Sequence, residues 1–209
     1  MSGIVLKDLL VLRKQGKSYA MIIGIYALMS LAGIFDYTML SSMAVVIVMM
    51  LPITSFSYDE LARWDKYAAS TPAGRRGVVQ AKYVTAFIIS GLVGLICLAV
   101  DGVMALITPE ADFEVLVLAL VSSLAAGFLI NAIVLPLMFK YGAEKSRAIL
   151  VGVMAIGLGA MLVLSRLLKS MGLVNLSDRV AVCLAAVLVV GGLIVSYLLS
   201  QKIFSQKEL

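Results

Sequence analysis

Six long stretches of this chain carry no charge. No Asp, Glu, Lys or Arg occurs in residues 18–35, 37–58, 83–100, 115–139, 148–165 or 180–201. These stretches run from 18 to 25 residues. A helix needs about 20 apolar residues, with a range of about 17–25, to cross the bilayer's roughly 30 Å hydrocarbon core. Soluble helices usually keep a polar face, whereas these runs are apolar all round. Nor do they alternate as the strands of a membrane barrel would. The pattern predicts an all-α integral membrane protein, a single domain over residues 1–209 with six transmembrane helices.

Composition strengthens this reading. Of 209 residues, 62% are hydrophobic and 14% charged, against about 25% charged in soluble domains. Histidine is absent, which removes Ser-His-Asp and Cys-His catalysis and histidine-held zinc. Cys97 and Cys183 both lie inside apolar runs and suggest neither a disulfide framework nor a metal site. Between the runs, the longest hydrophilic segment spans only residues 59–82, and neither a G-x-x-x-x-G-K-[ST] nor a G-x-S-x-G motif occurs. No catalytic residue, bound metal or bound cofactor is expected on this chain.

The basic residues give an orientation. Fourteen of seventeen fall in the N-terminal arm, the loop after helix two, the loop after helix four, and the tail; only Arg166, Lys169 and Arg179 fall on the other side. Lys and Arg are retained on the cytoplasmic side, so both termini are expected in the cytoplasm of a multi-pass cell-membrane protein. The positive charge then follows from topology and calls for no nucleic-acid partner. Lys7 and Asp8 interrupt the early apolar stretch, which argues against a cleaved signal. Residues 3–17 place Val5, Leu6, Leu9 and Leu12 on one face with Lys7 and Lys14 turned away, predicting an interfacial helix.

The 59–82 loop has local order of its own. Ser57-x-x-Glu60 is a capping-box pattern, and it predicts that a helix starts there and runs over residues 58–71. Asp59 and Glu60 would lie in its first turn, favoured by the helix dipole. Leu61, Trp64 and Ala68 would share a face with Tyr67 at its edge, and Asp59 and Arg63 would pair at i,i+4. Thr71-Pro72 would end the helix, and Arg75 and Arg76 follow. The residues alone fit an interfacial amphipathic helix and a protein-docking helix equally.

On this loop the chain resembles the permease subunits of ABC type 2 transporters, in their compact six-helix branch. The matching positions are an acid (Glu60), a tryptophan (Trp64), the Ser70-Thr71-Pro72 turn, an arginine (Arg75 or Arg76), and a return through Val79 to Lys82-Tyr83. Thr71 departs from the leucine more often expected there. The resemblance implies that the loop is a coupling helix seated on a separate ABC ATPase subunit, which would hold ATP and Mg. Its contact would draw on Asp59, Glu60, Leu61, Arg63, Trp64, Tyr67, Pro72, Arg75 and Arg76. It also implies a second permease subunit, identical or related, and export of a peptide, antimicrobial compound or lipid.

Inside the membrane, Ala148, Gly152, Ala155 and Gly159 form a small-residue stripe that suits close helix packing, either between permease subunits or within one. Asn131 needs a hydrogen-bond partner and lines a pathway or bonds within the fold. Asp36 and Asp101 are expected at the outer interface, and Ser177 is expected to cap the last helix. Two other classes share parts of this pattern: the substrate-binding membrane subunit of a vitamin uptake system, and a non-transporting accessory or immunity protein.

Overall fold

The computed structural model describes the backbone of residues 2–69, 74–108, 112–170 and 178–206, with side chains throughout these except at 2, 65–66, 69, 156–170 and 178–186. The described elements are all helical: α1 (Ser2–Leu31), α2 (Thr38–Leu61), α3 (Trp64–Ala69), α4 (Gly74–Ile107), α5 (Phe113–Ser170) and α6 (Asp178–Gln206). Among the described residues, four helical stretches are long and apolar enough to cross a membrane: Thr38–Leu61, Gly74–Ile107, Phe113–Ala155 and Val187–Gln206. Leu28, Leu95, Leu118, Val151 and Val187 all point outward, as expected of a surface solvated by lipid.

The first correction concerns α1. The predicted interfacial helix and the first apolar run form one continuous helix of 30 residues. Only the side-chain character changes between Lys7 and Tyr19; no proline intervenes, and a lone Gly16 lowers helix stability without breaking it. The buried face is also different from the expected one. Ile4, Asp8 and Leu12 turn inward, and Leu6 and Leu10 are exposed. The helix ends in a Schellman motif. Gly33 takes φ 71°, its N–H reaches the Ser30 carbonyl, and the Ile34 N–H reaches that of Met29.

α5 is two helices joined at a single residue. Gly142 has φ 81° and ψ 175°, a backbone region essentially reserved for glycine. Residues 113–141 and 143–170 therefore change direction there, in place of the predicted polar loop between helices four and five. Lys7 meets Asp59, and Arg75 of α4 reaches the Ser205 carbonyl of α6. The start of α1, the α2–α4 connection and the end of α6 thus share one end of the bundle.

α2 packs along α5 more extensively than along any other element. Gly127 sets the closeness, since a Cβ there would stand 2.8 Å from Val48 Cγ1. Pro52 lies inside α2 and has no N–H, so the Val48 carbonyl four residues earlier lacks its helical donor. Asn131 replaces that donor: its Nδ2 gives a hydrogen bond to the Val48 carbonyl at 3.1 Å. The side chain is buried, and its amide bonds within the subunit. Asn131→Leu is expected to cost about 1 kcal/mol. Pro52→Ala in the same chain should recover most of that, because alanine restores the donor. Chemical unfolding of both variants in matched micelles checks this. Equal losses with and without Pro52→Ala would mean that Asn131 serves something other than Val48.

Candidate functional site

The connection between α2 and α4 is built on a helix that does not stop where expected. Ser57 starts no new helix. It lies inside α2, and its Oγ donates back to the Ile53 carbonyl at 2.8 Å, the bond a serine makes within a running helix. α2 continues to Leu61, and a turn at Ala62 and Arg63 follows, with Arg63 in the left-handed region at φ 49°. The predicted 58–71 helix is thus split, and Leu61 and Trp64 do not share a helical face. α3 then runs for six residues. Ser70, Thr71, Pro72 and Ala73 lie outside the described residues, as does Ser177. α4 begins at Gly74, itself at φ 60°.

Within α3, Trp64 is half-buried and Ala68 buried, while Tyr67 is exposed. The Trp64 and Tyr67 rings lie 5.1 Å apart. Trp64 packs against a cluster that includes Ile4, Phe56, Phe139 and Phe204, and Lys7 Nζ sits 4.5 Å from its ring. The tryptophan therefore pins α3 to the bundle. Leu61 and Tyr67 remain outward, 82% and 64% exposed, and Arg63 and Arg76 are exposed as well.

Beneath α3 lies a network of buried charges. Lys82 of α4 bridges Asp8 of α1 at 3.1 Å and Asp59 of α2 at 2.5 Å. It also donates to Ser55 Oγ at 2.7 Å. Lys7 bridges the same two carboxylates, at 2.9 Å and 2.5 Å. Asp8, Asp59 and Lys82 are all buried. Two acids and two bases balance, which is the condition under which ionised groups tolerate burial. Asp59 thus pairs with lysines of two other helices and not with Arg63. The sequence reading missed this cluster and turned Lys7 toward water. The available signal was Asp8, four residues from both Ile4 and Leu12 in the middle of an apolar stripe.

Glu60 is also engaged within the subunit. Its Oε2 accepts the Ala143 N–H at 2.7 Å, capping the second segment of α5 just after the Gly142 break. The first N–H groups of a helix lack partners of their own, and a carboxylate there suits the dipole. Arg147, one turn further, donates to Ser57 Oγ at 2.8 Å. The α2 end therefore holds both α4 and the second half of α5. Of the expected docking residues, Asp59, Glu60 and Trp64 face the bundle, Arg75 reaches α6, and Leu61, Arg63, Tyr67 and Arg76 face out.

Elsewhere, Ala148, Gly152 and Ala155 lie on the outer surface, and a Cβ built at Gly152 meets nothing within 4 Å. Among the described residues nothing packs on this stripe at Gly152; the Gly159 surroundings lie outside the described residues. Asp36 is exposed. Asp101 is buried within the subunit, and Ser41 Oγ donates to it at 2.8 Å.

A bundle of long apolar helices with a short helix hung between two of them defines a multi-pass membrane protein. Residues 3–205 match the model of the ABC-2 family transporter proteins. The chain belongs to that family and is a permease subunit of an ABC transporter, a family whose membrane proteins generally work with ATPase subunits. No curated protein and no solved structure matches it.

Proposed function

We propose that this permease serves an ATP-driven exporter of the cytoplasmic membrane and crosses it six times with both termini inside. It pairs with a second permease subunit, identical or related, and with separate subunits that bind ATP and Mg. The cargo is a peptide, an antimicrobial compound or a lipid. The observation that carries the reading is α3: a six-residue helix whose Trp64 and Ala68 grip the bundle while Tyr67, with Leu61 just before it, faces outward. An ATPase groove would take those two apolar side chains, flanked by Arg63 and Arg76.

Movement of α3 would pass into the membrane along two rigid routes. One runs through Asp59 to Lys82 and Asp8, and so to α4 and α1. The other runs through Glu60 to Ala143 and the second segment of α5. The outward stripe of Ala148, Gly152 and Ala155 favours close approach of the second permease.

The test uses the outward residues, because Trp64 also packs the bundle and its loss would confound binding with folding. Leu61→Ala with Tyr67→Ala should lower ATPase affinity more than tenfold, the effect of losing about 2 kcal/mol at an apolar anchor. Pull-down of candidate ATPase subunits at matched membrane levels reads it. Equal recovery by the variant would remove α3 from the interface, and no ATPase recovered with the unaltered chain would overturn the exporter reading.

A further inference from the structure

A lateral groove of about 710 Å³ opens between α1, α2 and α4. Its α1 wall is low because Gly16, Ala20, Gly24 and Ala27 recur at spacings of 4, 4 and 3 along one face. Nothing stands within 4 Å of a Cβ built at Gly16 or Gly24, so the space left by the small residues is not filled from across the groove. The floor is Ile47 and Leu51 of α2, and the far wall is the apolar 88–100 stretch of α4. Arg13 is the sole charged side chain among the described lining residues, and it is exposed.

Size, depth and charge select the occupant. The volume falls within the roughly 300–1,000 Å³ of small-ligand sites. The small-residue stretch from Gly16 to Ala27 rises about 16 Å at about 1.5 Å per residue, close to half of the roughly 30 Å hydrocarbon core, and Leu9 and Leu12 continue the lining past it. Arg13 lies about one turn beyond Gly16, toward the end of the bundle that carries α3. An apolar trough whose small-residue part is one leaflet deep, with a cation just beyond it, matches a single lipid. We infer that the groove holds an acyl chain of an anionic phospholipid from the leaflet on the α3 side, with its phosphate against Arg13. This site lies away from the α3 docking face and does not depend on the exporter reading.

The test reconstitutes the full chain in phosphatidylcholine vesicles doped with phosphatidylglycerol carrying a photoreactive acyl chain. Cross-links are mapped by mass spectrometry. They should concentrate on residues 16–27 and 88–100 and be competed by unlabelled phosphatidylglycerol, not by added phosphatidylcholine. Arg13→Gln should reduce the yield about fivefold, the weight of one basic residue at an anionic surface, and Arg13→Lys should restore most of it. Gly24→Leu should remove the groove cross-links while the chain remains in the membrane. Equal labelling by a phosphatidylcholine analogue, or labelling unchanged in Arg13→Gln, would overturn the proposal. So would efficient disulfide formation between two copies bearing Gly24→Cys, which would assign the groove to a neighbouring subunit.

Discussion

Lys82→Met is expected to be the most damaging single substitution in the charge network, costing about 3–5 kcal/mol, the usual effect of removing one partner from a buried ion pair. The change leaves Asp8 and Asp59 sharing Lys7 alone, in a site where both carboxylates are buried. A sharply lower denaturant midpoint and a poor yield of monodisperse protein in detergent are the expected readouts. The second half of the experiment separates charge from packing, because Lys82 Nζ also sits 4.8 Å from the Phe56 ring. Adding Asp8→Asn to Lys82→Met removes one stranded charge, so the double variant should be more stable than Lys82→Met alone. Strictly additive losses would show that the lysine acts through packing, since interacting partners give non-additive cycles.

Gly142→Ala is expected to have the next largest effect. Alanine at φ 81°, ψ 175° carries strain of about 1–3 kcal/mol. Its Cβ would also come within 2.8 Å of Glu60 Oε1, displacing the cap on Ala143. In a chain of this size about 2 kcal/mol lowers the melting temperature by roughly 4–8 °C, measurable by thermal unfolding in micelles. Glu60→Ala in the Gly142→Ala background removes the collision but leaves the backbone strain, so it should recover only part of the loss. Under the proposed mechanism, Glu60→Ala alone should leave ATPase binding intact while reducing transport, because one of the two links from the end of α2 to the second segment of α5 is lost, only the Arg147–Ser57 bond remains, and the outward face is untouched. Full transport by that variant would take Glu60 out of the relay.

The sequence made the helical membrane character plain because bilayer solvation imposes one rule on every run: about 20 residues without charge. Local grammar was less dependable. Ser57-x-x-Glu60 satisfied a capping pattern, yet α2 was already helical when it reached Ser57, and Glu60 found the unpaired N–H of Ala143 instead. No local pattern could announce that bond, which spans 83 residues of sequence. The Gly142 break was hidden for another reason. A lone glycine between Tyr141 and Ala143 looks ordinary until two helices need to turn in a single residue. Lys82 was legible as part of a family pattern, but its partners were not, because burying a lysine requires acids from two other helices. The small-residue stripe at Ala148 to Ala155 was visible in the sequence, while the Ala119, Ser123 and Gly127 stripe, whose glycine lets α5 approach α2, was equally visible and passed over.

The buried ion network also bears on when the chain can finish folding. Asp8 and Lys82 are 74 positions apart. At a synthesis rate of roughly 5–20 residues per second, the lysine is made about 4–15 seconds after the aspartate. Until then the first helix carries a carboxylate on its inward face with only the adjacent Lys7 to neutralise it. The four-member network can therefore close only after α4 has been made. Its closure ties α1, α2 and α4, the first three long helices, into one unit.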